Sequence, residues 1–293
     1  MASLKDLKLR ITSVQSTRKI TSAMKMVAAS KLRRAQNLVE EARPYADRMS
    51  DIMQKISLSI DPASSNLQML SGNGSDDTHL VLVMTANRGL CGGFNSNIIR
   101  SARQMINDLI SKQKKVKIFT IGRKGKEALK QEYGHLFEEH YEDFGRKGVS
   151  FTDAEKIASI VIKLFDNSEF DVCHLIYAKF ISAMTQEVTR HQAIPYNTDD
   201  LKDISNANNS SYEYEPSEQE ILESLLPRNL AVQIFRSLLE NGASEQGARM
   251  TAMDNATRNA GEMIDKLTLK YNRTRQAQIT TELIEIISGA EAV

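Results

Sequence analysis

Cysteine, tryptophan and long apolar runs are scarce or absent in this sequence. The two cysteines, Cys91 and Cys173, lie far apart and form no CxxC motif, which argues against a disulfide framework and fits a reducing compartment. Tryptophan is absent and aromatic residues make up 6% of the chain, a composition more typical of helical rods than of a compact globule. No apolar run reaches the ~18 residues of a membrane-spanning helix, and the charged start lacks the apolar core of a signal peptide.

Charge is balanced overall but unevenly distributed. The formal net charge is +1, whereas residues 1–36 hold nine Lys or Arg and one acid, and residues 199–223 hold eight acids and one Lys. The basic segment has three interpretations: a solvated helix face, a surface that meets an acidic protein partner, or a phosphate-binding surface for nucleic acid. Because no aromatic residues are interleaved with the basic ones, the pattern favours the first two.

The C-terminal segment has the periodicity of a coiled coil. Residues 247–293 contain no proline, and their apolar and small residues recur at alternating intervals of three and four. Such a seam needs a second helix to cover it, and its small residues suit either a tightly packed helix pair or a shaft that turns inside a sleeve. The predicted seam residues are Met250, Met253, Thr257, Ala260, Ile264, Leu267 and Tyr271, followed by Ile279, Leu283 and Ile286.

The N-terminal segment, residues 1–59, is the only comparable stretch and therefore the predicted partner. It predicts one helix about 80 Å long, with a kink favoured near Arg43 because Pro44 removes a backbone hydrogen bond. A second helix over residues 217–288 would be longer, so one of its ends should stand alone. The predicted seam of the first helix consists of Leu4, Leu7, Ile11, Val14, Met24, Ala28, Lys31, Ala35, Leu38, Ala42, Tyr45, Met49, Ile52 and Ile56.

Between these two helices, short apolar runs alternate with helical patterns, which indicates βαβ units and a mainly parallel sheet. Strands are predicted at 79–85, 116–121, 171–178 and 186–194, and helices at 95–112, 124–133 and 151–165. The polar segment 201–211 is predicted to be a loop. The fold class is therefore α/β, with a long antiparallel coiled coil of the terminal helices and a central Rossmann-like α/β domain. The predicted domains are 1–59, 75–211 and 217–293.

No pattern in the central domain predicts catalysis. The turn at residues 85–95 is Gly-rich and leads from a strand to a helix, as a phosphate-binding loop does. It matches neither the dinucleotide-binding nor the P-loop spacing, so a tight structural turn is the favoured interpretation. Cys91 has no recognisable base nearby, and none of the five histidines has metal-ligand spacing. We therefore expect no catalytic residue, cofactor or metal.

Three stretches resemble the gamma subunits of F-type ATP synthases, which are central rotor shafts. They are residues 11–31 (ITSVQSTRKITSAMKMVAASK), residues 88–95 (RGLCGGFN), and residues 243–253 (ASEQGARMTAM) continuing to Ser288-Gly-Ala290. The resemblance implies a coiled coil of the two termini on an α/β foot, with no covalent chemistry of its own. In that family the c ring is turned by proton flow, and the asymmetric shaft forces the catalytic beta subunits into different conformations.

The resemblance also implies partners and a location. One copy would stand inside a ring of three alpha and three beta subunits, with the epsilon subunit and the c ring bound at the foot. The chain would be peripheral to the cytoplasmic face of a bacterial inner membrane, and the matrix side of a mitochondrial membrane is the less favoured alternative. Two competing hypotheses are a scaffold that binds nucleic acid through residues 1–36 and an enzyme with a pocket at Gly89, Gly92 and Gly93. Neither explains two rods of such length.

Contact residues follow from the matching positions. Contacts with beta subunits are implied for Met24, Lys25, Arg249, Gln276, Thr280 and Glu282, and contacts with acidic beta loops for Lys31, Arg33 and Arg34. Ile286 and Ile287 would lie in an apolar bearing of the ring. Tyr212, Tyr214 and Glu215 resemble the part of the foot near the c ring.

Overall fold

Two long helices account for nearly half of the chain. The structure is a computed structural model that describes residues 3–59, 68–142, 148–196 and 218–291. Helix α1 is Leu4–Ser59 and helix α6 is Glu218–Glu291, and the helical assignment runs through Pro44 in the first and Pro227 in the second. The chain forms two compact units, Met1–Ser30 with Arg249–Val293, and Lys31–Ala248. Each long helix therefore contributes residues to both units.

A five-stranded sheet forms the centre of the second unit. Its strands are β1 Thr78–Met84, β2 Lys115–Ile121, β3 Phe137–Tyr141, β4 Val172–Phe180 and β5 Gln186–Ile194. They lie in the order β3-β2-β1-β4-β5, and all neighbours are parallel except β4 and β5. The predicted, mainly parallel sheet is confirmed. Strand β3 was not predicted, because this polar edge strand exposes Glu138 and Glu139 and has no apolar run.

Helices cover both faces of the sheet. They are α3 Phe94–Ser111, α4 Arg123–Tyr133 and α5 Phe151–Asp166, with a short α2 at Gln68–Ser71 and a 3-10 turn at Gly134–Leu136. Alternate residues of a strand point to opposite faces. Accordingly, Val81 and Val83 of β1 pack with α3 and α4, while Leu80 and Leu82 pack with α5 and α6. All three helices predicted between the strands are confirmed.

The seam of α1 in the second unit differs from the prediction at every second position. The buried residues are Leu32, Val39, Ala46, Met49 and Met53, and the residues Lys31, Leu38, Tyr45 and Ile52 predicted for the seam are exposed. Both sets satisfy a three-four alternation with Ala35, Ala42 and Met49, and both contain apolar residues, so periodicity alone did not distinguish them. Met49 and Met53 belong to a core cluster that also includes Leu222 and Leu226 of α6.

In the first unit the predicted seam of α6 agrees with burial as far as Tyr271. Met253 and Ala260 are buried, and Thr257 and Ile264 are half-buried. Every residue from 275 to 288 is exposed, including Ile279, Leu283 and Ile286 of the predicted seam. Within the part of the chain that the structure describes, no helix covers the last turns of α6, as its greater length predicted.

Candidate partner-binding surfaces

Two polar contacts join α1 and α6 in the first unit. Lys25 Nζ lies 2.6 Å from Asp254 Oδ1, and the hydroxyl oxygens of Thr21 and Thr257 are 2.8 Å apart. The hydrogen bond from Lys25 lowers the pKa of Asp254 below its usual value. Residue numbers rise along one helix as they fall along the other, so the two helices are antiparallel here.

The predicted contact residues at the centre of this pair are not equally available. Lys25 is partly exposed, but its ammonium group is already bound to Asp254. Met24 and Arg249 are half-buried. Any charge that Lys25 offers to a partner is therefore shared with Asp254, an intramolecular contact that the sequence pattern did not reveal.

The basic residues further along α1 are more accessible. Lys31, Arg33 and Arg34 are all exposed in the second unit, where α1 presents Leu32 to the core between them. Three cations on one turn of a helix form a local positive surface that suits an acidic partner. The structure therefore leaves these three side chains accessible, as a contact role requires.

The predicted contact residues at the end of α6 are exposed. Gln276, Thr280 and Glu282 lie on the part of α6 that none of the other described helices covers. Ile286 and Ile287 have 68% and 58% of their surface exposed, and they lie close in sequence to three further exposed apolar residues, Ile279, Leu283 and Ile284. Exposed apolar residues at this density are typical of a surface that a protein partner covers.

The three foot residues Tyr212, Tyr214 and Glu215 lie outside the described residues, as does the predicted loop 201–211. Within the described ranges, the His, Cys, Asp and Glu side chains form no cluster of three that can hold a metal ion. None of the helices in those ranges combines the length and the hydropathy that a membrane crossing requires.

The Gly-rich turn is held by bonds within the protein. Asn87 Oδ1 accepts from the amide of Arg123 and Thr85 Oγ1 from the amide of Gly125, both in the first turn of α4. Asn95 Oδ1 accepts from the amide of Ala86 and its side-chain nitrogen lies 3.2 Å from Cys91 Sγ. The amide of Phe94, the first residue of α3, donates to the carbonyl oxygen of Cys91 within the turn. Together these contacts favour a tight structural turn over a phosphate-binding loop.

A stacked histidine pair, in which His79 is buried and His174 is half-buried, lies on neighbouring strands. The rings of His79 on β1 and His174 on β4 are stacked 5.4 Å apart, with His79 Nδ1 3.1 Å from His174 Nε2. Burial lowers the pKa of both, that of His174 to about 4, with a further contribution from His79. Asp76 lies 3.1 Å from His79 and is also bound by Lys114, and it partly offsets the effect of burial on His79. The pair is structural in character and was missed in the sequence because its members are far apart.

Polar residues of α6 that the sequence analysis did not single out are buried against the sheet. Glu240, Asn241 and Ser244 are at most 3% exposed. Glu240 accepts from Arg236, which also reaches Asp47 of α1 at 3.2 Å. Burial and the nearby Glu240 carboxylate raise the pKa of Tyr177 on β4 to about 12. A signal was present: these polar residues interrupt the apolar stretch of α6 on the face that meets the sheet.

The whole chain matches one family. A family model described as ATP synthase matches residues 3–293. The ATP synthase gamma chain of Paramagnetospirillum magneticum is 57% identical over 294 residues, and that of Rhodospirillum rubrum is 54% identical over 299 residues. In both cases all of this chain and all of the relative are covered.

Solved structures show the same fold. A chain from the central stalk and c ring of the Tetrahymena thermophila mitochondrial ATP synthase is 27% identical, with a TM-score of 0.62, and the match covers 81% of this chain and 99% of that one. A chain from the OSCP, F1 and c-ring structure of the Euglena gracilis mitochondrial ATP synthase has a TM-score of 0.69, with 99% and 94% covered. At 19% identity this second likeness shows the fold alone.

Proposed function

This chain belongs to the ATP synthase gamma-chain family. We propose that it is a non-catalytic subunit of the rotor and that its surfaces transmit torque. The observation that carries the proposal is the full-length match together with two helices of 56 and 74 residues that pair antiparallel. The shaft turns with the c ring and imposes successive conformations on the catalytic beta subunits. The relatives named above are all named as chains of ATP synthases, and this supports the rotor over the nucleic-acid-binding scaffold.

Torque transmission of this kind is a shift in populations. A shaft changes the conformation of a beta subunit only if its contacts differ in free energy between two conformations of that subunit. The contacts proposed for this are Met24, Lys25, Lys31, Arg33, Arg34, Arg249, Gln276, Thr280 and Glu282. The exposure of most of these side chains, and the positive charge of five of them, support contacts with polar and acidic loops.

The bearing and the foot are proposed separately. Ile286 and Ile287 would turn within an apolar sleeve of the alpha and beta ring, a role supported by their exposure near the end of α6. The epsilon subunit and the c ring would bind the foot, with Tyr212, Tyr214 and Glu215 near the c ring. The proposed functional division is a shaft of residues 1–59 and 217–293 and a foot of residues 75–211.

The two gamma chains that are more than half identical to this chain come from bacteria, and we place the chain at the cytoplasmic face of a bacterial inner membrane as a peripheral subunit, one copy per complex. A tag on this chain should recover three alpha-like and three beta-like chains from native membranes, with ATPase activity coupled to proton transport. Recovery of the chain alone, or with nucleic acid, would refute the rotor assignment.

The role of Lys25 needs a test that separates its internal partner from a beta subunit. Lys25→Glu places a carboxylate opposite Asp254, whereas the double variant Lys25→Glu with Asp254→Lys restores an ion pair in reversed order. If Lys25 contacts a beta subunit, the single and the double variant both lower coupled ATP synthesis. Full recovery in the double variant would mean that only the internal pair matters.

A further inference from the structure

At one point on the sheet, side chains of helix α6 make the backbone hydrogen bonds that a neighbouring strand would otherwise make. Strand β4 pairs with β1 from Val172 to Ile176 and then continues without it. On its other side, β4 remains paired with β5 as far as Phe180. Ala178 therefore lies beyond the last residue of β4 that pairs with β1. It is nevertheless buried, and a buried backbone group needs a hydrogen-bond partner.

Two side chains of α6 supply both bonds. The amide of Ala178 donates to Asn241 Oδ1 at 3.1 Å, and the hydroxyl of Ser244 donates to the carbonyl oxygen of Ala178 at 2.9 Å. Residues three apart lie on the same face of a helix, so one face of α6 provides an acceptor and a donor to the same backbone unit. We call this the Ala178 clamp.

The clamp differs in kind from the other contacts of α6 with the sheet. Leu230, Ile234 and Leu238 join the apolar cluster on that face, and apolar burial is non-directional, so it fixes proximity more than position. Hydrogen bonds to a rigid strand have narrow distance and angle limits. Asn241 and Ser244 therefore define both the rotation of α6 about its axis and its position along that axis.

A close backbone approach lies one turn beyond the clamp. A Cβ on Gly247 would be 3.2 Å from the carbonyl oxygen of Ala183, in the turn between β4 and β5. The absence of a side chain at Gly247 thus lets α6 lie directly against this turn. Ala248 is the last residue of the second unit, so the clamp and this contact are among the last links between α6 and the sheet before the helix enters the other unit.

We propose that Asn241 and Ser244 are positioning residues that lock α6 to the foot in a fixed angular position, so that rotation of the foot passes to the shaft without slip. This inference rests on the proposed rotor function. Two hydrogen bonds to one strand residue fix the angle of α6, and the apolar interface supports them.

The test uses the complete membrane-bound complex carrying Asn241→Leu together with Ser244→Ala. Hydrolysis of ATP and ATP-driven proton pumping are measured in the same vesicles and normalised to assembled complex. The expected result is a fall of about threefold or more in pumping per ATP hydrolysed, with hydrolysis within about twofold of the unaltered complex. The torsional stiffness of the rotor, measured from angular fluctuations of a probe on the foot, should fall in parallel.

The conservative and control variants decide between positioning and mere folding. Asn241→Asp keeps an acceptor for the Ala178 amide and should recover most of the pumping ratio. Ser101→Ala removes a side-chain hydrogen bond elsewhere in the foot, from the Arg190 guanidinium of β5 to α3, and should leave both ratio and stiffness unchanged. If the double variant does not assemble, Ser244→Ala alone is measured in its place.

An unchanged pumping ratio and stiffness in the assembled clamp variant would overturn the proposal, as would an equal loss in Ser101→Ala. A purely structural role would reduce the amount of assembled complex without changing either quantity per complex. Absence of coupled pumping in the unaltered complex would instead refute the proposed rotor function, so the two failures are distinguishable.

Discussion

The surroundings of Gly122 and Gly242 predict opposite effects on stability for the same substitution to alanine. Gly122 has a φ of +99°, and a Cβ there would overlap the carbonyl oxygen of Thr85. Gly242 lies inside α6 with open space where a Cβ would be. We expect Gly122→Ala to lower the free energy of unfolding by more than about 2 kcal/mol, and Gly242→Ala to raise it by about 1 kcal/mol because alanine favours the helix.

Urea denaturation of the full chain, followed by helical circular dichroism, measures both effects. A stabilising Gly122→Ala would contradict the geometry of the turn after β2. A destabilising Gly242→Ala would mean that the space beside α6 is occupied.

The stacked pair of His79 and His174 predicts a foot that loses stability in acid. The unperturbed pKa of His174 is 6.5 and burial lowers it to about 4 in the folded chain. Between these values the unfolded state binds a proton that the folded state does not, so stability falls as the pH is lowered through this window. The loss attributable to His174 is about 3 kcal/mol, and pH-dependent denaturation should show it.

His174→Gln should flatten that pH profile, because the substituted side chain does not titrate. The exposed His135 provides the matched control, and His135→Gln should leave the profile unchanged. An equally steep profile in His174→Gln would assign the acid sensitivity to other groups.

At the scale of elements, two leucines of α1 distinguish the observed seam from the predicted one. Leu32 is 5% exposed and Leu38 is 42% exposed. We expect Leu32→Ala to cost about 2–4 kcal/mol, since it leaves a cavity in a packed interface, and Leu38→Ala to cost less than about 1 kcal/mol. Denaturation of the full chain measures both, and a reversed order would restore the seam through residues 31, 38, 45 and 52.

Periodicity predicted the elements correctly where the apolar pattern was compatible with one set of buried residues. Strand β1 is a continuous apolar run that is buried on both faces, and α3 buries Phe94, Ile98 and Ala102 at helical spacing. Periodicity did not distinguish Leu32 from Leu38 as the buried residue, because either is compatible with the seven-residue repeat. It could not identify the roles of Asn241 and Ser244, because these depend on where β4 parts from β1.

The contact residues were predicted from the resemblance to a family and not from periodicity. Resemblance supplied their positions, and among the nine proposed beta contacts the structure exposes six and half-buries Met24, Lys25 and Arg249. The Lys25–Asp254 pair depends on the antiparallel register of α1 and α6, which the composition of either helix alone does not determine.

At the scale of the whole molecule, the uncovered end of α6 predicts a difference between the free chain and the complex. Residues 275–288 are exposed, and helical segments without tertiary packing open readily. Amide hydrogen exchange over residues 276–291 should be fast in the free chain and strongly slowed in the assembled complex. Residues 230–244, which the sheet covers, should be protected in both and serve as the reference.

Equal exchange of residues 276–291 in the two states would argue against a bearing around Ile286 and Ile287. Slow exchange already in the free chain would show that this end of α6 is stable without a partner.

The three-four alternation in the first unit determines the direction in which the two helices wind around each other. The covered face of α1 there includes Leu4, Leu7, Ile11, Val14 and Ala28, a seven-residue repeat from which a straight α-helix drifts by about 20° per heptad. The two helices must therefore form a left-handed supercoil. The angular position of a side chain about the supercoil axis then depends on its position along that axis as well as on the helix face that carries it. Seven residues added to both helices would rotate every proposed beta-subunit contact beyond the insertion by about 20° about the shaft axis, and we expect this to alter the timing of the cycle without changing the chemistry of any contact.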